Sequence, residues 1–301
     1  MNKINSISDF HKIAGLPKPQ HPLVSLVDYI QVRYQTDDDE VTVVTPYYSV
    51  ALKHGVQGKM RYGQLPYDFD EGVMSFVAPK QVVTVSARYD QEVQPTGWLL
   101  FIHPDFLWNT PLAKKIKEYE FFGYQINEAL HLSDKEEQML IGIMKSIEAE
   151  YNSNIDQFSQ NIIISQIETL LNYAERFYQR QFITRKISNH EMLGKVESYL
   201  NDYFDQDNLA SLGLPSVQDI ADNMNVSPNY LSNLLKVLTG QNTQQHIHDK
   251  LIEKAKEKLS TTQLSVSEIA YTLGFEHSQS FSRLFKSKVK MSPLEFRTSF
   301  N

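Results

Sequence analysis

The chain has 301 residues, 41% of them hydrophobic, and a formal net charge of −7 from 29 basic and 36 acidic side chains. That length allows two domains with separate cores. Cysteine is absent, which excludes disulfides, cysteine-ligated zinc, iron–sulfur clusters and thiol catalysis.

Met1 to Pro22 mixes polar and charged residues and lacks the apolar run of a signal peptide. No stretch reaches the roughly 20 apolar residues needed to span a bilayer. The expectation is a cytoplasmic protein with no membrane partner. Up to about residue 110, short apolar runs at 41–44, 47–52, 73–77, 82–85 and 98–102 alternate with turn residues such as Gly72, Pro79 and Pro104. Such spacing predicts an antiparallel sandwich or barrel, with 97–102 as a buried strand because both of its faces are apolar. The acidic run Asp37-Asp38-Asp39-Glu40 reads as a solvated turn.

Beyond residue 110 the apolar period becomes helical. Ser133 and Glu136 form a predicted capping box, followed by a face of Met139, Leu140, Ile143, Met144 and Ile147. A second helix carries Ile163, Ile167, Leu170, Leu171, Ala174, Phe177 and Tyr178 on one stripe. The polar segment 184–189 reads as a linker. Ser188 and Glu191 then cap a helix bearing Leu193, Val196, Leu200 and Tyr203. The domain boundary is therefore placed between 1–183 and 184–301.

The last domain repeats one pattern about fifty residues apart. Val217, Ile220, Ala221, Asn225, Val226, Leu231 and Lys236 correspond to Val266, Ile269, Ala270, Gly274, Phe275, Phe281 and Lys286. Each copy opens on a capping serine, Ser216 or Ser265, with an acid three positions later, Asp219 or Glu268. A small alanine permits a close helix crossing. Asn225 or Gly274 then suits the left-handed turn, and an amphipathic helix follows. Helix, tight turn, helix is the arrangement that reads DNA.

In the first copy Ser227, Asn229, Ser232, Asn233 and Lys236 are expected on the DNA side, with Ser227 also suited to capping and Pro228 to the first helical position. In the second copy His277, Ser278, Gln279, Ser280, Arg283 and Lys286 take that role. Arginine pairs with guanine, Asn and Gln with adenine, and lysines such as Lys286, Lys288 and Lys290 with phosphates. From Val226 onward basic residues outnumber acids, so the local charge suits DNA although the whole chain is acidic. The stretch 246–259 reads as one helix, roughly 20 Å long, with Ile247, Leu251, Ala255 and Leu259 inward. It would space two reading helices for major grooves about 34 Å apart.

These residues resemble the AraC/XylS family of transcription regulators, strongly over 193–297. The signature lies in Ile269-Ala270-Tyr271-Thr272-Leu273-Gly274-Phe275, in 281–286, and in Ser292-Pro293-Leu294-Glu295-Phe296-Arg297. The resemblance implies a seven-helix domain with base contacts from Asn229, Ser232, Asn233 and Lys236, then Ser278, Gln279, Ser280 and Arg283. Asn229, Ser232 and Asn233 are shorter and less basic than in many members, which implies a weaker or differently specific first helix. Segments 72–79 and 97–106 resemble the family's sensor domains. They imply an α+β chain: a cupin-like antiparallel β-barrel binding a small effector, dimerising helices, and the all-α DNA domain. Double-stranded DNA, the effector, RNA polymerase and a second copy of the chain are the implied partners.

Within that frame Tyr47, Tyr48, Phe76, Trp98 and Phe101 are candidates for lining an effector pocket, with core packing as the competing assignment. Ile163, Ile167, Leu170, Leu171 and Ala174 are candidates for a dimer seam, with packing on the barrel as the alternative. A cupin metal centre needs a His-x-His pair on a strand. The barrel region offers only His54 and His103, and the sole His-x-His, His246 and His248, falls on a helix, where the two point apart. No cofactor, metal site or catalytic constellation is therefore expected. Two other readings stay open to the residues: a metal-independent binding or catalytic barrel, and a protein-interaction adaptor.

Overall fold

The computed structural model describes residues 2–33, 40–54, 61–62, 65–66, 72–86, 96–125, 128–153, 156, 158–184, 186–206 and 209–299. The chain divides into two compact units, Met1–Gln181 and Phe182–Asn301. Of the acidic run, 37–39 lie outside the described residues, and Glu40 begins a strand. No helix among the described residues is long and apolar enough to cross a membrane.

The first unit opens with β1 (Asn2–Lys3), α1 (Ile7–Ile13), β2 (Val24–Asp28), β3 (Glu40–Val44) and β4 (Tyr48–His54). It continues with β5 (Arg61–Tyr62), β6 (Leu65–Pro66), β7 (Val73–Val77), β8 (Val82–Ser86), β9 (Thr96–Ile102), α2 (Leu112–Lys115) and β10 (Leu130–His131). Two long helices follow, α3 (Asp134–Tyr151) and α4 (Ser159–Thr184). The strands form a five-stranded antiparallel sheet ordered β10-β7-β4-β9-β2, a three-stranded sheet ordered β1-β3-β8, and the hairpin β5-β6. This corrects the expected barrel: among the described residues no pairing closes the sheets on each other. The smaller sheet is also mixed, since β1 runs parallel to β3.

β9 lies inside the larger sheet, paired with β4 on one side and β2 on the other, as its two apolar faces predicted. Val50 stands opposite Phe76 on β7 and Leu100 on β9, and Leu52 stands opposite Met74 and Trp98. Directly opposed residues share a face. One face therefore presents Tyr48, Val50, Leu52, Met74, Phe76, Trp98 and Leu100. The other presents Ala51, Leu99 and Phe101, which join Ile4, Ile7, Phe10, Val27 and Tyr47 in a core under α1. Helix α1 and strand β2 were not predicted, although Ser6 caps α1 by accepting from the Asp9 amide at 3.0 Å.

In α3 the Glu136 carboxylate accepts from the Ser133 amide at 2.9 Å, as the predicted box requires. Its expected apolar face needs one correction: Met139 is exposed, whereas Glu137 is buried. α4 is bound to the unit by Arg180, which donates to Glu136 at 2.6 and 3.0 Å and to the His131 carbonyl at 2.7 Å.

The second unit contains α5 (Lys186–Phe204), α6 (Leu209–Leu212), α7 (Val217–Asn223), α8 (Pro228–Thr239), α9 (Thr243–Thr261), α10 (Val266–Thr272), α11 (Ser278–Val289) and α12 (Pro293–Thr298). These are eight helical segments among the described residues, where the resemblance implied seven; the extra one is the four-residue α6. The expected linker is also corrected. α4 runs through Thr184 and α5 starts at Lys186, so Ser188 lies inside a helix rather than at its cap.

At 19 residues, α9 spans about 28 Å. Ile247, Leu251, Ala255 and Leu259 are buried in the core, together with Ile220, Ala221, Leu231, Ile269, Ala270, Phe281 and Phe285. Both helical hairpins therefore share one core, with α9 passing between them. Arg297 on α12 fastens its far end, donating to the Leu259 carbonyl at 3.2 Å and the Leu264 carbonyl at 2.6 Å.

Candidate nucleic-acid interface

The two repeated hairpins are alike in hydrogen-bonding detail. Before α7 the Ser216 hydroxyl accepts from the Asp219 amide at 3.1 Å, and Asp219 accepts from the Ser216 amide at 2.8 Å. Before α10, Ser265 and Glu268 make the same exchange at 3.2 and 2.7 Å. Ala221 and Ala270 are fully buried where the paired helices cross. The chain then turns through Asn225 at φ 56° and Gly274 at φ 87°. The Val226 amide donates to the Ala221 carbonyl and the Phe275 amide to the Ala270 carbonyl, each at 3.0 Å. Left-handed backbone favours Asn and Gly there. Gly274 has a second reason: a Cβ would lie 2.8 Å from the carbonyl carbon of Gly213.

On α8, Tyr230, Leu231, Leu234 and Leu235 are buried. Asn229 and Lys236 are exposed and Asn233 is half-buried, at spacings of four and three residues that place all three on one stripe. Two expected members of this surface are engaged elsewhere. Ser227 is buried, its hydroxyl accepting from the Tyr230 amide at 3.2 Å. Ser232 is half-buried, its hydroxyl 3.0 Å from Thr243 Oγ1 at the start of α9.

On α11, Phe281 and Phe285 are buried, while His277, Gln279, Ser280, Arg283 and Lys286 are exposed and Ser278 is half-buried. Gln279, Arg283 and Lys286 continue along one line. This face has the chemistry to read bases through Arg283 and Gln279 and to hold phosphate through Lys286. Lys288 is bound instead to Asp249 of α9 at 2.8 Å, and the Lys290 ammonium donates to the Ser287 carbonyl at 2.8 Å. Sequence reading missed the supporting groups Thr243 and Asp249. Only the capping pattern at Asn242 and Gln245, which starts α9 just there, hinted at the first.

His246 and His248 separate as expected for neighbours two apart on a helix. His246 Nε2 is 2.9 Å from Thr239 Oγ1, and His248 Nε2 is 2.9 Å from Gln244 Nε2. Burial lowers both imidazoles below the usual histidine value, so each is neutral at pH 7. Among the described residues no group of three or more His, Asp or Glu could hold a metal ion. His103 caps a short turn, its Nδ1 accepting from the Asp105 amide at 3.3 Å.

In the first unit the five aromatic candidates fall into three places. Tyr47 and Phe101 pack together with ring centroids 5.2 Å apart, on the α1 side. Tyr48 and Phe76 lie on the opposite face, both against Phe122 at 4.9 and 5.6 Å. All four are buried. Trp98 lines an open cavity of about 320 Å³ whose wall also includes His54 and Glu137. The α4 stripe of Ile163, Ile167, Leu170, Leu171 and Ala174 is buried within the protomer. Those side chains are committed to the core rather than presented to a second copy.

The family described as a helix-turn-helix domain matches residues 220–299. The chain is 26% identical over 190 residues to the uncharacterized HTH-type transcriptional regulator YfiF of Bacillus subtilis (strain 168), covering 63% of this chain and 57% of the relative. It is 32% identical over 102 residues to the uncharacterized HTH-type transcriptional regulator YijO of Escherichia coli (strain K12), covering 34% and 35%. The matches thus span between about a third and somewhat over half the length of these relatives. Among solved structures, the C-terminal domain of the two-component response regulator yesN from Fusobacterium nucleatum is 28% identical. That match covers 34% of this chain and 93% of the other, with a TM-score of 0.30.

Proposed function

We propose that this chain, which carries an AraC-type helix-turn-helix domain at its C terminus, is a sequence-specific transcription regulator that reads DNA with α8 and α11. The observation that carries the reading is the pair of hydrogen-bond-matched hairpins on one shared core, each presenting a polar stripe outward. Asn229, Asn233 and Lys236 form one stripe; Gln279, Arg283 and Lys286 form the other. Ser280 and His277 flank the second. Ser227 and Ser232 act on the helix itself, one as cap and one as tie to α9. Because both hairpins belong to one chain, a single protomer can read two unlike half-sites.

In this reading residues 184–301 bind DNA, act on transcription in the cytoplasm through RNA polymerase, and catalyse no reaction. Residues 1–183 sense a small effector; the cavity at Trp98 supports that role better than the four buried aromatics. A homodimer, if the regulator forms one, uses a surface other than the buried α4 stripe.

The test is selection from random duplex DNA with purified full-length protein at stated salt, since phosphate-driven affinity changes steeply with salt. The expected product is a motif of two short blocks about one helical turn, roughly 34 Å, apart. Arg283→Ala should weaken the selected site by about 1–3 kcal/mol and relax one base position. A protein that selects no motif with or without small molecules, or an Arg283→Ala variant that binds as the parent does, contradicts the reading.

A further inference from the structure

We infer that the cavity of the first unit binds a small organic cation, an alkyl amine or guanidinium compound, held by Glu137 and Asp28 against the face of Trp98. The inference rests on the effector-sensing role just proposed and gives it a ligand class.

The cavity, about 320 Å³, lies where the ends of β2, β4 and β9 meet α3. That volume is within the roughly 300–1,000 Å³ of small-molecule sites. Two glycines shape its surroundings. At Gly97, with φ 129°, a Cβ would stand 2.0 Å from the Leu52 carbonyl oxygen, so β4 and β9 approach closely at the cavity rim. At Gly72 a Cβ would stand 2.6 Å from both Cδ and Oε1 of Glu137, so the missing side chain vacates the space the carboxylate occupies.

Glu137 is the unusual group. It is 5% exposed, and its Oε1 is 3.1 Å from His54 Nδ1. Its Oε2 makes no hydrogen bond to the described residues and is still reached by solvent. A largely buried carboxylate with one partner among the described residues, at one oxygen, is suited to a cation that supplies further donors from the cavity side. Asp28 adds a second carboxylate: its Oδ1 accepts from the Ile30 amide at 3.0 Å, which leaves Oδ2 available. The cavity's described lining holds two carboxylates and no lysine or arginine, a set that suits a cation better than a phosphorylated or carboxylated ligand. Trp98 offers the aromatic face best suited to a cation. Leu52 and Ile141 give the apolar wall that the carbon chain of an alkyl amine would cover.

The experiment uses the full chain carrying Trp108→Phe, which leaves Trp98 as the single indole of the two. Its fluorescence is titrated with agmatine and putrescine, and with glucose and glucose 6-phosphate as neutral and anionic comparisons. The expected result is saturation by an amine, weakened about tenfold or more by Glu137→Gln. Asp28→Asn, which keeps the capping oxygen, should weaken it in the same direction and serves if Glu137→Gln does not fold. No saturable change with either amine up to about 10 mM, equal affinity in the variants, or saturation by a comparison sugar overturns the assignment. The same ligands are then added to the complex with its selected duplex. Amine binding that leaves DNA affinity unchanged removes the sensing role and keeps the cation site. A sugar that changes DNA affinity where amines do not removes the cation site and keeps the sensing role.

Discussion

Gly274→Ala isolates what the second helix-turn-helix demands of its turn. Two costs add at this position. An L side chain at φ 87° pays about 1–2 kcal/mol for the left-handed conformation. Its Cβ would also lie 2.8, 2.9 and 3.1 Å from the carbonyl carbon, oxygen and Cα of Gly213. Those are backbone atoms that move only with the segment after α6, and such overpacking costs about 1–3 kcal/mol. Gly240, at φ 78° after α8, supplies the comparison, because an added Cβ there meets nothing within 4 Å. The restriction that alanine places on the unfolded chain is common to both variants and cancels. Gly274→Ala should therefore be the less stable by about 1–3 kcal/mol. Urea unfolding of the full chain measures this by far-ultraviolet ellipticity. Both tryptophans, Trp98 and Trp108, lie in Met1–Gln181, so their emission reports the first unit alone. The expected signature is an earlier ellipticity transition with an unmoved tryptophan transition. If the two glycine variants agree within about 0.5 kcal/mol, the contact with Gly213 does not constrain the turn.

Lys236→Gln and Lys286→Gln should each lower the salt dependence of DNA binding by about one unit of slope and weaken all sequences alike; a change in the selected motif would make the residue a base reader. Leu170→Asp should unfold the first unit, seen as exposed tryptophan emission, since a buried unpaired carboxylate costs about 4 kcal/mol or more. A folded monomer in sedimentation would instead restore the α4 stripe as a dimer seam. For pH, burial lowers His246 and His248 in the folded state, so the unfolded chain takes up protons first as pH falls. Their contribution to stability is complete above the unfolded value of about 6.5 and is lost as pH falls below it. Urea midpoints at pH 7.5 and 5.5 should differ in that direction, and the double variant His246→Gln, His248→Gln should flatten the difference. An equal loss in the double variant would place the proton uptake elsewhere.

The helix-turn-helix unit was legible because its determinants are short-range. A capping serine with its acid, a buried alanine and a left-handed turn residue all fall within about ten residues, and the pattern occurs twice. What the pattern left ambiguous is which small polar side chains face outward. Ser232 is drawn toward Thr243, eleven residues away on the next helix, and Ser227 is consumed by its own cap. Nothing in the spacing of α8 distinguishes those serines from Asn229.

The first unit failed to read through for a different reason. Its central strands are apolar on both faces, so alternation cannot assign a side chain to the α1 layer or the opposite one. That assignment follows from pairings such as Tyr48 with Ile102, across some fifty residues. The same distance hid Glu137. In sequence it stands beside Asp134 and Glu136, in an acidic first turn of the kind that favours a helix N-terminus. Only Gly72, sixty-five residues earlier, reveals that this one acid of the three turns inward. A buried carboxylate is retained against its desolvation cost only where something offsets that cost. Among the described residues the one partner of Glu137 is the half-exposed His54, which is why the wall at Glu137, rather than the aromatic core, is the place to seek the ligand.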